Sequence, residues 1–204
     1  MRDKLSVLKE YFGHDSFREG QDRITDSLLG GRDVLGIMPT GAGKSICYQV
    51  PALMFDGITI VVSPLISLMK DQVSALVQSG VAAAYINSSL THAQYLKVLQ
   101  NTESGKYKII YVAPERLCAP AFLGICRNLN ISMVAVDEAH CVSQWGQDFR
   151  PSYLKIPDFI DALNSRPVVG AFTATATGAV RDDIKTLLRL VSPLVVTTGF
   201  DLSL

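Results

Sequence analysis

The chain lacks any long hydrophobic run and any excess of charge of one sign. Its 204 residues include 19 Lys and Arg against 19 Asp and Glu, so the formal net charge is zero. A balanced charge excludes recruitment of nucleic acid by a global basic field, so such binding would need a local site. No apolar run approaches the roughly 20 residues that span a membrane, and we expect no membrane partner.

Cysteines at metal-binding spacing are also missing. The four cysteines are Cys47, Cys118, Cys126 and Cys141, and they form no C-x-x-C pair. No histidine stands at zinc-finger spacing from them. We interpret them as reduced, buried or half-buried thiols. The expected location is the cytoplasm, at the nucleoid, for a bacterial source and the nucleus for a eukaryotic one.

The sequence contains no repeat, low-complexity stretch or linker, and instead alternates short apolar runs with amphipathic segments. This alternation predicts one α/β domain over residues 1–204, with a mostly parallel β-sheet and helices on both faces. The predicted strands cover residues 33–38, 58–62, 81–86, 109–112, 133–136, 168–172 and 195–197. The predicted helices cover residues 3–12, 18–29, 46–54, 65–78, 91–102, 153–163 and 178–190, with another starting at residue 114.

A glycine-rich turn separates the first predicted strand from a helix. It reads Pro39, Thr40, Gly41, Ala42, Gly43, Lys44, Ser45. This layout is typical of a loop whose backbone N–H groups bind phosphate, with Lys44 on the β- and γ-phosphates and Ser45 on Mg²⁺. The strict pattern has glycine where this chain has Met38. The alternative is an ordinary turn with an exposed lysine.

Two adjacent acids, Asp137 and Glu138, follow the apolar strand at 133–136. Acids at the end of a buried strand are costly unless a cation or hydrogen-bond donors compensate them. We predict that Asp137 holds Mg²⁺ through water and that Glu138 orients or deprotonates an attacking water. The alternative is two solvated acids in a loop.

Together these stretches resemble the first RecA-like domain of a superfamily 2 helicase of the RecQ family. The resemblance spans nearly the whole chain, and the matching stretches are Phe17 to Gln21, the phosphate loop, Ser63 to Gln72, Ala113 to Leu117, Asp137-Glu138-Ala139-His140, the aromatic-rich Cys141 to Pro151, and Thr173-Ala174-Thr175. It implies a RecA-like P-loop NTPase fold. It also implies an ATP- and Mg²⁺-dependent DNA helicase that acts in repair and recombination.

The resemblance assigns the adenine site to His14, Arg18 and Gln21. The Gln21 amide offers a donor and an acceptor to the base edge, and Arg18 and the His14 ring would stack on the base. From sequence alone, Gln21 is equally an ordinary exposed helix residue.

The resemblance also assigns DNA contacts. Trp145 and Phe149 would stack on unpaired bases, and Arg150 would supply charge. Two loops would hold strand phosphates through backbone N–H groups at helix starts, and Thr173 and Thr175 would couple DNA binding to hydrolysis. The loops contain Ser63, Pro64 and Leu65 in one case and Pro114 and Glu115 in the other. The alternatives are a core position for Trp145 and simple helix starts for the loops.

The family's second RecA-like domain, which carries an arginine finger, is not encoded in these residues. The tail, residues 200–204, begins like the family's link but lacks its Arg-Pro-Asn. We therefore expect an excised domain that binds nucleotide but hydrolyses it poorly, because such an arginine is worth ~10³–10⁵ in rate. Expected partners are single-stranded and partly duplex DNA and a second domain in cis. Two alternative functions remain: another nucleic-acid-dependent ATPase, or a P-loop enzyme that acts on a small molecule. The oligomeric state is not predicted.

Overall fold

A computed structural model describes residues 3–199, which form one seven-stranded sheet. Every strand pair in it is parallel, and the strands lie in the order β3-β4-β2-β5-β6-β1-β7. The strands are β1 Val34–Ile37, β2 Ile58–Val62, β3 Ala83–Ile86, β4 Ile109–Val112, β5 Ile131–Val136, β6 Val168–Thr173 and β7 Leu194–Thr197.

Within residues 3–199, eight α-helices connect or flank these strands. They are α1 Lys4–Phe12, α2 Gln21–Leu29, α3 Lys44–Met54, α4 Ile66–Gln78, α5 His92–Glu103, α6 Pro120–Arg127, α7 Ile156–Asp161 and α8 Gly178–Leu187. Three short 3₁₀ segments, Pro114–Arg116, Ala139–Val142 and Pro151–Lys155, follow strand ends or precede α7.

Helices cover both faces of the sheet. On one face Ile24 of α2, Tyr48 of α3 and Met69 of α4 pack against the strands, and on the other Phe122, Phe159 and Ile184 do so. Strands buried on both faces need continuous apolar runs, which is why β1, β2 and β4 are buried at every position. The predicted fold class is confirmed.

Two predicted helices have different bounds for local reasons. The helix predicted from Arg18 begins at Gln21, because the Gln21 side chain accepts the Arg18 N–H at 2.8 Å and Gly20 precedes the helix in a left-handed conformation. The helix predicted over 153–163 begins as a 3₁₀ segment. Its α-helical part starts at Ile156, because Pro157 has no N–H to donate to the Tyr153 carbonyl.

The α-helix predicted from residue 114 does not form there. Only a three-residue 3₁₀ turn forms there, with Arg116 N–H donating to the Ala113 carbonyl at 2.8 Å, and α6 begins later at Pro120. Among residues 3–199, no helix is both long and apolar enough to cross a membrane. The link predicted at residues 200–204 lies outside the described residues.

Candidate active site

The phosphate loop lies between the carboxyl end of β1 and the start of α3. Gly41 and Gly43 have φ of 83° and 78°, a conformation that side chains rarely adopt. A Cβ on Gly43 would also lie 2.4 Å from the Gln21 amide nitrogen. Within residues 3–199, the backbone N–H groups of Gly41, Gly43, Lys44 and Ser45 donate no hydrogen bond. These free donors at a helix N-terminus form a cradle for an anion.

Met38, where the strict motif has glycine, does not enter this cradle. Its side chain is fully buried beneath α3, with its sulfur 3.6 Å from the Cys47 sulfur. The Met38 carbonyl accepts a hydrogen bond from the Lys44 ammonium at 3.3 Å. The departure from the motif is therefore absorbed by the core and leaves the loop's donors unobstructed.

Asp137 and Glu138 follow β5, at the same edge of the sheet. The Asp137 side chain is 6% exposed. Burial, and then the neighbouring Glu138 charge, raise the Asp137 pKa to about 6, against the opposing effects of the Glu138 N–H and Lys44. Glu138 has φ of 47°, which is uncommon for a residue with a side chain and is found at sites that other contacts hold in place.

His140 holds Glu138 next to the end of β6. The Thr173 hydroxyl donates its single proton to the Thr175 carbonyl at 3.0 Å, so its oxygen accepts from His140 Nδ1 at 2.8 Å. This assigns the ring proton to Nδ1, which also lies 3.3 Å from the Glu138 carboxylate. His140 was not predicted to act in the site. Its place in the acidic motif, beside a strand that pairs with β6, was the available signal.

One cleft of about 400 Å³ brings together most of the residues predicted to bind nucleotide. Its lining consists of His14, Ser16, Arg18, Gln21, Thr40, Gly41, Gly43, Lys44, Ser45, Ile46, Leu68, Asp137 and Glu138. Ala42 is absent from the lining, whereas Leu68 of α4 was not predicted. Leu68 lies within the family-like stretch Ser63 to Gln72, but that stretch was assigned to DNA contacts and not to the nucleotide cleft.

Gln21 is not the exposed helix residue of the alternative interpretation, because it is 3% exposed. Its amide nitrogen donates to the carbonyls of Ala42 and Gly43, both at 3.1 Å, and Arg18 donates through Nη1 to the Gly41 carbonyl at 2.7 Å. The two side chains therefore fix the loop's carbonyls, which leaves the loop's amides turned toward the cleft. Their adenine contacts stay a prediction.

The aromatic-rich loop projects from the 3₁₀ segment that follows the acids. Trp145 is 79% exposed, so the alternative of a core position is wrong. Phe149 is half-buried. Arg150 donates through Nε and Nη2 to Asp148 at 2.9 and 2.7 Å, and through Nη1 to the Pro64 carbonyl at 3.3 Å. Arg150 thus joins this loop to the loop after β2.

The two loops predicted to hold phosphates differ. After β2, Leu65 is 43% exposed and caps α4, while the buried Ser63 hydroxyl has no partner within residues 3–199. After β4, Pro114 is buried and Glu115 exposed. Because only a 3₁₀ turn begins at Pro114, the expectation of helix N–H donors is wrong there. At the end of β6, Thr173 is buried and Thr175 exposed.

The chain is similar in sequence to known DNA helicases. The ATP-dependent DNA helicase RecQ of Bacillus subtilis is 50% identical over 196 residues, covering 96% of this chain and 33% of the relative. RecQ of Pasteurella multocida is 48% identical, covering 97% and 31%. The chain spans about a third of the length of these relatives. The predicted resemblance to RecQ helicases is confirmed.

Solved structures share the fold at low identity. A hypothetical ATP-dependent RNA helicase from Sulfolobus tokodaii superposes with a TM-score of 0.73 at 21% identity, over 96% of this chain and 57% of that one. The helicase MrfA bound to DNA gives a TM-score of 0.76 at 16% identity, over 97% and 30%. The profile of the DEAD/DEAH box helicase family matches residues 18–184. This chain therefore belongs to the DEAD/DEAH box helicase family.

Proposed function

We propose that the chain is the ATP-binding motor domain of a RecQ-type DNA helicase, in which ATP hydrolysis drives movement along single-stranded DNA and duplex unwinding. The observation that supports this most is a single cleft lined by Lys44 and Ser45 from one strand end and by Asp137 and Glu138 from another. The acidic segment continues directly into the loop of the exposed Trp145. Nucleotide chemistry and an unpaired-base platform thus share one stretch of chain.

The cleft suits a magnesium nucleotide. The free N–H groups of the loop and the Lys44 ammonium suit phosphate oxygens, and the buried Asp137 carboxylate suits a cation with Ser45 as second ligand. Within residues 3–199, no three His, Cys, Asp or Glu side chains converge to hold a metal unaided. Mg²⁺ bound there would neutralise phosphate charge and would complete its shell with phosphate oxygens and water.

Glu138 is the residue that would orient or deprotonate the attacking water. Its backbone conformation and the His140 ring at 3.3 Å restrict where its carboxylate points. Because His140 is also bonded to Thr173, a shift at the end of β6 would alter the aim of Glu138. Thr173 and Thr175 would serve as coupling residues through this contact.

Adenine is the base that the part of the cleft lined by Gln21 would favour. Both protons of the Gln21 amide are engaged by loop carbonyls, so the oxygen's remaining lone pair is what it offers to a base. Adenine presents an exocyclic amino donor, whereas guanine presents an acceptor at the equivalent place. His14 and Arg18 line the same region and would stack on the base.

Single-stranded DNA is the polymer that would stimulate turnover. Trp145 and Phe149 would stack on its bases, Arg150 would meet its phosphates, and the exposed loop after β2 would add backbone contacts. The names of the similar RecQ proteins, which are DNA helicases, support DNA over RNA. An arginine from a second RecA-like domain in cis would complete the γ-phosphate site.

The nucleotide part is tested by calorimetric titration of the chain with ATP and GTP, each with and without Mg²⁺. We expect Mg²⁺-dependent binding that favours ATP. Equal affinity for the two nucleotides would remove the adenine assignment.

The DNA part is tested by ATP turnover in a protein that joins this chain to a second RecA-like domain. We expect stimulation by single-stranded DNA well above that by RNA, and loss of most of it in Trp145→Ala. Preferential stimulation by RNA would favour another nucleic-acid-dependent ATPase, and no stimulation by either would favour a small-molecule P-loop enzyme.

A further inference from the structure

A buried hydroxyl connects the aromatic-rich loop to a helix that no motif includes. Ser143 is fully buried, and its Oγ donates to the Asp183 carboxylate of α8 at 2.6 Å. The same Oγ accepts the Trp145 backbone N–H at 3.1 Å. Ser143 and Asp183 are separated by 40 positions in sequence, so only the fold reveals their contact. A short hydrogen bond from a hydroxyl to a carboxylate is of the stronger, charge-assisted kind.

Helix α8 is a firm support for this contact. Val180 and Ile184 bury one side of the helix in the core, and Asp183 is the half-buried neighbour of Ile184. The helix begins at its cap Thr177, whose hydroxyl accepts the Val180 N–H, directly after Thr173-Ala174-Thr175. Asp183 therefore lies on the helix that follows the segment that would couple DNA binding to hydrolysis.

The loop is also held by its own backbone and by a close approach to His140. Gly146 N–H donates to the Ser143 carbonyl at 3.0 Å, and a Cβ on Gly146 would lie 2.4 Å from the His140 carbonyl. The loop thus crosses the backbone of the residue that holds Glu138 and Thr173. A cleft of about 410 Å³ separates the Trp145 and Gln147 side of the loop from Arg181 of α8. Ser143 and Asp183 do not line this cleft, and their hydrogen bond joins the loop directly to α8.

We propose that Asp183 is a positioning residue that, through Ser143, holds the Trp145 loop in one arrangement against α8. Base stacking on Trp145 then shifts the loop and α8 together, and the shift reaches Glu138 through Thr173 and His140. The tie itself is independent of DNA, whereas the transmission rests on the proposed function.

Trp145 is the chain's single tryptophan, so its emission reports on this loop alone. We expect time-resolved anisotropy of the DNA-free chain to show more nanosecond loop motion in Asp183→Ala and in Ser143→Ala. Their double variant should be no more mobile than either single variant, because all three lack the same bond. Asp183→Asn keeps an acceptor oxygen and should restore most of the order.

Asp182→Ala is the matched control, because Asp182 is the adjacent residue, is 74% exposed and pairs with Lys185 instead. It should leave the Trp145 anisotropy unchanged. Thermal unfolding of each variant separates a loosened loop from a loosened domain. Unchanged anisotropy in both Asp183→Ala and Ser143→Ala would overturn the tie. So would a loss of stability of the whole domain that is as large in Asp182→Ala as in Asp183→Ala.

Transmission is measured with the same variants in a protein that includes a second RecA-like domain. We expect DNA stimulation of ATP turnover to fall about tenfold in Asp183→Ala, which corresponds to about 1.4 kcal/mol, and to recover in Asp183→Asn. Full stimulation in Asp183→Ala with a mobile loop would overturn transmission while leaving the tie. If the unaltered protein shows no DNA stimulation, the proposed function fails, and the anisotropy result still decides the tie.

Discussion

At the scale of single residues, Asp137 lies in an environment that destabilises its ionised form. Its carboxylate is buried beside a second acid, and its pKa is raised from 3.8 to about 6. Below pH 3.8 the Asp137 carboxyl is neutral in both the folded and the unfolded chain, so its charge does not oppose folding. Because the folded-state pKa is the higher one, stability is lost as the pH rises from 3.8 to about 6. Above that pH the ionised, nucleotide-free protein bears the full cost.

We therefore expect Asp137→Asn to stabilise the nucleotide-free chain at pH 8 by on the order of 2 kcal/mol, since asparagine keeps the acceptor for the Glu138 N–H without the charge. The gain should shrink as the pH falls from about 6 toward 3.8. Urea unfolding at several pH values measures it. The exposed Asp71→Asn serves as control. The same variant should lose Mg²⁺-dependent ATP binding. A variant less stable than the unaltered chain at pH 8 would contradict the expectation.

Single residues also mark where sequence reasoning stops. Asp137 and Lys44 were predictable because each follows an apolar strand in a recognisable string. The link from His140 to Thr173 was not, since it depends on how two side chains are oriented at the ends of the paired strands β5 and β6. Asp183 carried no signal at all, because a lone acid on an amphipathic helix resembles any solvated one.

At the scale of elements, the loop after β5 carries an internal competitor for DNA. Asp148 binds the Arg150 guanidinium through two nitrogens, and both side chains are substantially exposed. The Arg150 contact holds the Asp148 pKa below its ordinary value, so the carboxylate is charged at neutral pH. A DNA phosphate would have to displace this carboxylate to reach Arg150.

We expect Asp148→Asn to bind single-stranded DNA about two- to fivefold more tightly, the range appropriate to an exposed ion pair. Asp148→Glu, which retains the charge, should bind more like the unaltered chain. Fluorescence anisotropy of a labelled oligonucleotide at fixed salt gives the affinities. Weaker binding by Asp148→Asn would mean that Asp148 orients Arg150 toward DNA and does not compete with it.

A second element-scale feature lies at the opposite edge of the sheet. Asp33, just before β1, is 2% exposed and accepts from Arg166, from Val169 N–H at 2.9 Å and from Val191 N–H at 2.7 Å. One carboxylate therefore joins β1, β6 and the segment before β7. Removing it would leave the Val169 and Val191 backbone donors and a guanidinium without their acceptor.

We expect Asp33→Ala to lower the free energy of unfolding by about 3–5 kcal/mol, because it removes a buried carboxylate that accepts from two backbone N–H groups and a guanidinium. Arg166→Ala should cost about 1 kcal/mol, because Asp33 keeps its two backbone donors and the Arg166 side chain is 40% exposed. Urea denaturation of both variants measures the asymmetry. Equal losses would show that the ion pair, and not the backbone bonds, carries the stability.

The elements themselves were mostly predictable. All seven strands and the alternation with helices followed from apolar runs, because a parallel sheet buried on both faces needs them. Boundaries were missed where a side chain or a proline decides them: Gln21 capping Arg18, and Pro157 interrupting the helix predicted from Tyr153. Local propensity carries no information about a side chain that folds back onto its own backbone.

At the scale of the whole molecule, the cleft is short of positive charge for hydrolysis. Of the described residues that line it, Lys44 and Arg18 are the Lys and Arg side chains, and Arg18 is engaged with the Gly41 carbonyl. A developing charge on a transferring phosphoryl group would meet the Lys44 ammonium and no free guanidinium.

We accordingly expect residues 1–204 alone to hydrolyse ATP near background, with no response to DNA. Joining a second RecA-like domain should raise the rate by ~10³–10⁵. Turnover measured with a coupled assay, against Lys44→Ala as the zero, checks both statements. Robust DNA-stimulated turnover by residues 1–204 would mean that the missing charge comes from elsewhere in this chain.

The position of β1 between β6 and β7 also bears on how the protein is made. Val34 pairs with Gly170 on one side and Leu194 on the other, so the strand that carries the phosphate loop has no neighbour until nearly the whole domain has been translated. Until then its apolar residues lack the sheet partners that bury them, and such exposed surface is prone to aggregate. We therefore expect that nucleotide does not stabilise a nascent chain that stops before β6, because the strand before the phosphate loop has no partner strand there.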